Sequence, residues 1–154
     1  MPRSDSIPDP DRHFFRQHGV YWICTDPARI DFEAVYDFLS QAPWASGLDR
    51  AAMAEALANS LCFSLFDQEQ QVGLARVITD FVTYAYLCDV YVRAEWRGLG
   101  LGSWLVRSVL EHPRIGSLRR VALITHDAQD FYLRLGFQLP VQANHYLERV
   151  LTQS

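Results

Sequence analysis

No run of basic residues occurs in this 154-residue chain: 14 Lys and Arg stand against 18 Asp and Glu, for a net charge of -4. Nucleic-acid binders track a phosphate backbone with clustered cations, so that class is disfavoured. Apolar stretches such as Ala85 to Val92 break off well short of membrane-spanning length, which argues against a membrane partner. Cysteine is sparse and odd in number. Cys24, Cys62 and Cys88 are scattered through apolar segments and read as free thiols of a cytosolic protein, not as a disulfide framework. No His, Cys or Asp spacing suggests a metal site, so none is expected. The N-terminus is polar and Pro-rich, unlike a signal peptide, and a cytoplasmic location is the expectation.

Hydrophobic residues make up 49% of the chain, with 4 Trp, 7 Tyr and 9 Phe, enough for a real core. Residues 1–11, with three prolines and four charged residues, read as a disordered lead, and residues 12–154 as one domain. Tyr21 to Thr25 predicts a strand ended by Asp26-Pro27. Phe32, Val35, Tyr36 and Leu39 recur at helical spacing over Asp31 to Leu39. After the break at Pro43-Trp44, Asp49 reads as the N-cap of a second helix with Met53 and Leu57 on its buried side. Leu61 to Phe66 and Gln71 to Thr79 form a predicted hairpin, and Tyr84 to Val92 a long strand. A helix ending near Glu111 follows. Arg120 to Thr125 reads as a central strand, Ala128 to Leu135 as a helix capped by Asp127 with Gly136 at its C′ position, and Phe137 to Pro140 with Tyr146 to Leu151 as a final strand pair. This order is mixed α/β with an antiparallel front half, and not doubly wound.

The most informative segment runs from Val90 to Gly102. A strand enters a tight turn, Arg97-Gly98-Leu99-Gly100-Leu101-Gly102, which opens a helix. Glycines at alternate positions leave the turn almost bare, so its N–H groups and the positive helix end behind them can face an anion. A nucleotide-hydrolase phosphate loop needs Lys before its Ser or Thr, and no lysine stands near. The dinucleotide fingerprint fails too, because its third glycine would fall at Ser103 or Leu105. An ordinary glycine turn before a surface helix remains the plain alternative.

Arg97 to Gly102 resembles the acyl-CoA pyrophosphate loop, Arg/Gln-x-x-Gly-x-Gly/Ala, of the GCN5-related N-acetyltransferase (GNAT) family. Downstream, Asp127 to Phe137, with Tyr132 four residues before the closing Gly136-Phe137, resembles that family's tyrosine-bearing helix. The motifs stand in the family's order and separation, and the likeness spans roughly residues 20 to 150. It implies a mainly antiparallel sheet with flanking helices and a pair of splayed central parallel strands, between Tyr86 to Val92 and Val121 to Thr125. A bulge near Asp89 to Tyr91 would offer amides to the pantetheine arm.

The same resemblance implies acetyl-CoA as cofactor. Val90, Tyr91, Val92, Arg97, Gly98, Leu99, Gly100, Leu101, Gly102, Ser103, Thr125, Asp127 and Phe131 would form its site. Many members carry Pro where Ala94 stands and Asn where Thr125 stands; threonine can still donate one hydrogen bond. Tyr132 would protonate the departing sulfur, as a phenol of pKa about 10 holds its proton at neutral pH. Asp89, a lone carboxylate in the apolar run Leu87-Cys88-Asp89-Val90, is the candidate to accept or orient the amine proton, with Asp80 second and an ordered water third. Either acid could equally cap a turn or pair with an arginine. Trp44, with Tyr84 or Tyr86, would line the acceptor site, which suits a small-molecule or peptide amine. A homodimer is left open. The competing expectation is a non-catalytic acyl-CoA-binding or regulatory module on the same fold.

Overall fold

The computed structural model describes residues 13–45 and 47–152. The predicted lead, residues 1–11, lies outside them. The chain forms two compact units, Met1–Ile124 and Thr125–Ser154.

The first unit is built on a six-stranded sheet in sequential order: β1 (Phe15–His18), β2 (Tyr21–Cys24), β3 (Leu61–Asp67), β4 (Gln70–Thr79), β5 (Ala85–Val92) and β6 (Val121–Ala122). All neighbours are antiparallel except β5 and β6. The turn at Gly19, with φ 60, pairs β1 with β2, a hairpin the sequence pattern did not suggest because β1 (Phe-Arg-Gln-His) carries a single apolar residue.

Helices α1 (Phe32–Leu39) and α2 (Arg50–Ala58) start where aspartates supply caps. Asp31 accepts from the Ala34 N–H at 3.2 Å and Asp49 from the Ala52 N–H at 2.8 Å, each satisfying an orphan donor of a first turn. Both helices cover one sheet face, where Val35, Leu39, Met53 and Leu57 bury against Cys62, Leu74 and Tyr91. Phe38 stacks on Tyr91 with ring centroids 3.8 Å apart. Helix α3 (Leu101–Glu111) covers the face that carries Phe63, whose ring meets His112 at the helix's C-cap. Leu105, Val106 and Val109 are fully buried there, at about 1.5–3 kcal/mol per large aliphatic side chain.

The predicted strand Arg120 to Thr125 shrinks to Val121–Ala122, paired with Ala85 and Tyr86, and it is an edge strand instead of a central one. The physical reason lies beyond it: the predicted strands Phe137 to Pro140 and Tyr146 to Leu151 do not form, so β6 has no second neighbour among the described residues. Strand β5 runs on to Val92 while its pairing with β6 ends at Tyr86, so the two parallel strands part company as the sequence likeness implied.

The second unit holds α4 (Gln129–Arg134) and an irregular tail with a short 3-10 turn at Ala143–His145. Asp127 does not cap α4. The N-cap is Ala128, with no side-chain cap bond to the helix; its own N–H goes to the Thr125 hydroxyl at 3.1 Å, while Asp127 is exposed. The C-terminus of α4 is closed by a Schellman motif: the Phe137 N–H reaches the Tyr132 carbonyl at 3.1 Å and the Gly136 N–H the Leu133 carbonyl at 3.1 Å. Gly136 at φ 94 makes that reversal, and the accompanying apolar contact is Tyr132 against Phe137, 5.6 Å between ring centroids.

Candidate active site

Strand β5 carries an irregularity at its middle. Leu74 pairs with Tyr91 and Arg76 with Cys88, so Ala75 alone faces both Asp89 and Val90, a β-bulge. Asp89 sits at φ 51, a left-handed conformation that aspartate tolerates better than most residues. Simple alternation would turn Asp89 away from the Cys88 face. The bulge returns its side chain to that face, where Arg76 lies in register between Cys62 and Cys88. Arg76 Nε donates to Asp89 Oδ2 at 2.7 Å and Nη1 to Ser60 Oγ at 3.1 Å. Trp44 Nε1 donates to the other oxygen, Asp89 Oδ1, at 3.1 Å. Asp89 thus pairs with an arginine and also meets the tryptophan expected at the acceptor site.

Trp44 is 58% exposed. It borders a cleft of about 390 Å³ shared with Phe38 of α1 and with Arg93, Glu95 and Arg97 beyond β5. Tyr84, 43% exposed, lies instead at a second cleft of about 300 Å³ with Thr83, Arg119 and Arg120. Tyr86 pairs with Ile78 and Ala122 in the sheet and is partly buried. Asp80 closes the β4–β5 turn, at the end of β5 away from the glycine loop. It accepts from the Val82 and Thr83 N–H groups and from Thr83 Oγ1, at 2.9, 2.8 and 2.6 Å. Those bonds, the Thr83 hydroxyl's foremost, hold its carboxyl far below the usual carboxylate range, which makes it a weak proton acceptor.

At the far end of β5 a 3-10 turn, Ala94–Trp96, leads into the glycine loop and is tied down by Trp96 Nε1 donating to Asp67 at 2.8 Å. Arg97 Nε donates to the Val92 carbonyl at 3.0 Å. Gly98 and Gly100 have φ of 81 and 78, and nothing lies within 4 Å of where a Cβ would stand on either. Gly100 is the N-cap of α3, so Leu101 and Gly102 already belong to the helix. The first return bond is from the Trp104 N–H to the Gly100 carbonyl at 3.1 Å, and the N–H groups of Leu101, Gly102 and Ser103 precede it. The residues present therefore fit a phosphate-bearing group: open space in front of two bare glycines, and the positive end of an eleven-residue helix behind them.

In the second unit, Tyr132 packs edge-on against Phe131 and Phe137, at 4.9 and 5.6 Å between ring centroids. Burial pushes its phenol above the ordinary value, so it keeps its proton at neutral pH. The thiols stay protonated as well: burial raises Cys24 and Cys88 to about 11 and Cys62 to about 12. Among the described residues no three His, Cys, Asp or Glu side chains gather as a metal site, and no helix is long and apolar enough to cross a membrane.

Arg76 and Ser60 are the site residues that sequence reasoning missed. The signal was available, since Arg76 interrupts the apolar run Val72 to Val77 as Asp89 interrupts its own. A lone cation and a lone anion on adjacent strands are each other's natural partners.

This geometry has company among known proteins. A family model described as an acetyltransferase (GNAT) domain matches residues 58–139. A candidate acetyltransferase of Gibberella zeae is 35% identical over 136 residues, covering 74% of this chain and 76% of that one. N-alpha-acetyltransferase 80 of Mus musculus is 31% identical over 103 residues; the match takes in 60% of this chain but only 33% of that protein's length. A solved candidate acetyltransferase of the GNAT family from Xanthomonas campestris superposes with a TM-score of 0.82 at 38% identity, over 88% of this chain and 94% of its own. A Clostridium acetobutylicum protein solved with acetyl-CoA shares the fold, with a TM-score of 0.62 at 14% identity over 90% of this chain and 97% of its own. On the family model and the Gibberella and Xanthomonas relatives together, this chain belongs to the GNAT family of acetyltransferases.

Proposed function

We propose that the protein transfers an acetyl group from acetyl-CoA to a primary amine by direct attack, with Tyr132 as the general acid. The observation that carries the reading is the glycine loop: two left-handed glycines with open space before them, followed at once by the unpaired N–H groups of α3. When bound, acetyl-CoA supplies a thioester carbonyl open to attack by an amine. Arg97 and the N–H groups of the α3 first turn hold the pyrophosphate in this reading, and the bulged backbone from Asp89 to Val92 lies along the donor's arm. The Tyr132 hydroxyl gives its proton to the departing sulfur, a role supported by a phenol that burial keeps protonated and that a Schellman motif fixes on its helix. Asp89 orients the attacking amine or takes its proton. Trp44 lends an aromatic wall suited to a cation.

Isothermal titration with acetyl-CoA, followed by thiol release across a panel of small amines and peptide N-termini, tests the reading. Saturable acetyl-CoA binding with amine-dependent thiol release is the expected result. Binding without release from any amine would leave a non-catalytic acyl-CoA module, and absence of binding would remove the donor assignment altogether.

A further inference from the structure

The Asp89 carboxylate is held asymmetrically. Oδ2 is gripped by Arg76 Nε at 2.7 Å inside the sheet face, and that guanidinium is itself anchored to Ser60. The two side chains are 15% and 8% exposed, so this half of the carboxylate is committed. Oδ1 is held differently, by the indole N–H of a tryptophan that is 58% exposed and sits on a connection between helices, at the longer distance of 3.1 Å. A carboxylate oxygen can accept from an ammonium as readily as from an indole, and the ammonium bond is the stronger because both partners are charged.

We propose that Oδ1 of Asp89 is the anchor for the acceptor's primary ammonium, and that the Trp44 indole N–H is its competitor, occupying Oδ1 until an amine displaces it. The proposal rests on the amine-acetylating reading above and adds what recognises the amine. Arg76 is the positioning residue: by fixing Oδ2 and offsetting the strain of the left-handed bulge, it leaves a single oxygen free to exchange. Once displaced, the indole ring remains beside the incoming cation as an aromatic face. The class of acceptor recognised is therefore an unhindered primary ammonium, because it must reach a single oxygen of a carboxylate that is only 8% exposed.

Two variants separate competition from simple support. Trp44→Phe keeps an aromatic face but removes the N–H, so the amine KM should fall by about fivefold, the worth of one net hydrogen bond. Trp44→Ala removes ring and N–H together, so its KM should exceed that of the Phe variant by about threefold. A ring this exposed can be changed without opening the core, and acetyl-CoA affinity measured without amine serves as the check on folding and on the donor site. A KM for Trp44→Phe that is unchanged or higher than wild type would overturn the competition. Failure of the wild-type protein to acetylate any amine would instead defeat the functional reading beneath it.

Discussion

Of the places where the described backbone enters the left-handed region, two lie on β5 and the turn that follows it, and they do so by opposite means. The loop at Gly98 and Gly100 uses residues without side chains, faces open space, and leads into the N–H groups of the α3 first turn. The bulge at Asp89 uses a residue with a side chain, and the carboxylate is drawn into two hydrogen bonds that help hold the conformation. A polyanion that needs close, repeated contact is served by bare backbone. A small cation that needs one directional partner is served by a charged side chain. In the proposed reaction the donor end would rest chiefly on main chain, beside Arg97, and the acceptor end on side chains, and substitutions should separate them.

The largest effect is expected at the loop. Gly100→Val forces a β-branched residue to φ 78, costs about 1–3 kcal/mol of backbone strain and fills the space before the amides. Acetyl-CoA binding should be lost by at least about a hundredfold in a protein that still shows native circular dichroism. Titration of that folded variant with wild-type affinity would break the comparison at its main-chain end. Next is Tyr132→Phe, which keeps the ring contacts to Phe131 and Phe137 and removes the proton. Turnover should drop by roughly a hundredfold with little change in acetyl-CoA affinity. Full turnover with lower thermal stability would make the hydroxyl structural.

Asp89→Asn sharpens the side-chain end. The amine kcat/KM should fall by about tenfold while acetyl-CoA affinity holds, and stability should fall by about 2 kcal/mol because Arg76 loses its charged partner in a largely buried position. Equal losses in both ligands' affinities would show that the two ends are not separable. The smallest effect lies at His112, away from both devices. Burial, reinforced by Arg114 and Arg16, lowers its pKa, and its Nδ1 accepts the Arg114 N–H at 3.1 Å, which requires that nitrogen unprotonated. The unfolded chain, with a pKa of about 6.5, therefore binds the proton first. Stability should decline as pH falls below that value, until the folded-state pKa is passed. Urea midpoints for wild type and His112→Gln between pH 7.5 and 5, a window of about one to two units around the histidine range, should converge at the acidic end. Parallel curves would mean that His112 carries no pH dependence.

The first half of the fold was legible because its signals are local. Asp31 and Asp49 cap their helices by bonds spanning three residues, and the hairpin of β3 and β4 follows from alternation across a short turn. Asp127 is not the cap of α4 because the chain enters that helix one residue later than the pattern suggested, with Ala128 as N-cap and its own N–H given to the Thr125 hydroxyl. The C-terminal strands failed for a different reason. Tyr146-Leu147 and Val150-Leu151 have strand propensity but not a clean alternation, and β-propensity needs a paired neighbour to be realised.

The sequence by itself determined the family: the glycine spacing from Arg97 to Gly102 and the Tyr132 to Phe137 ending are local, because turn geometry and helix termination are settled by residues a few places apart. Only the tertiary structure decided where the Asp89 carboxylate points and which groups it meets. Its facing depends on a bulge, the bulge on the register of β4 against β5, and the register on partners thirteen residues away at Arg76 and forty-five away at Trp44. A one-residue change in strand register reverses every side chain that follows, and no local pattern encodes it.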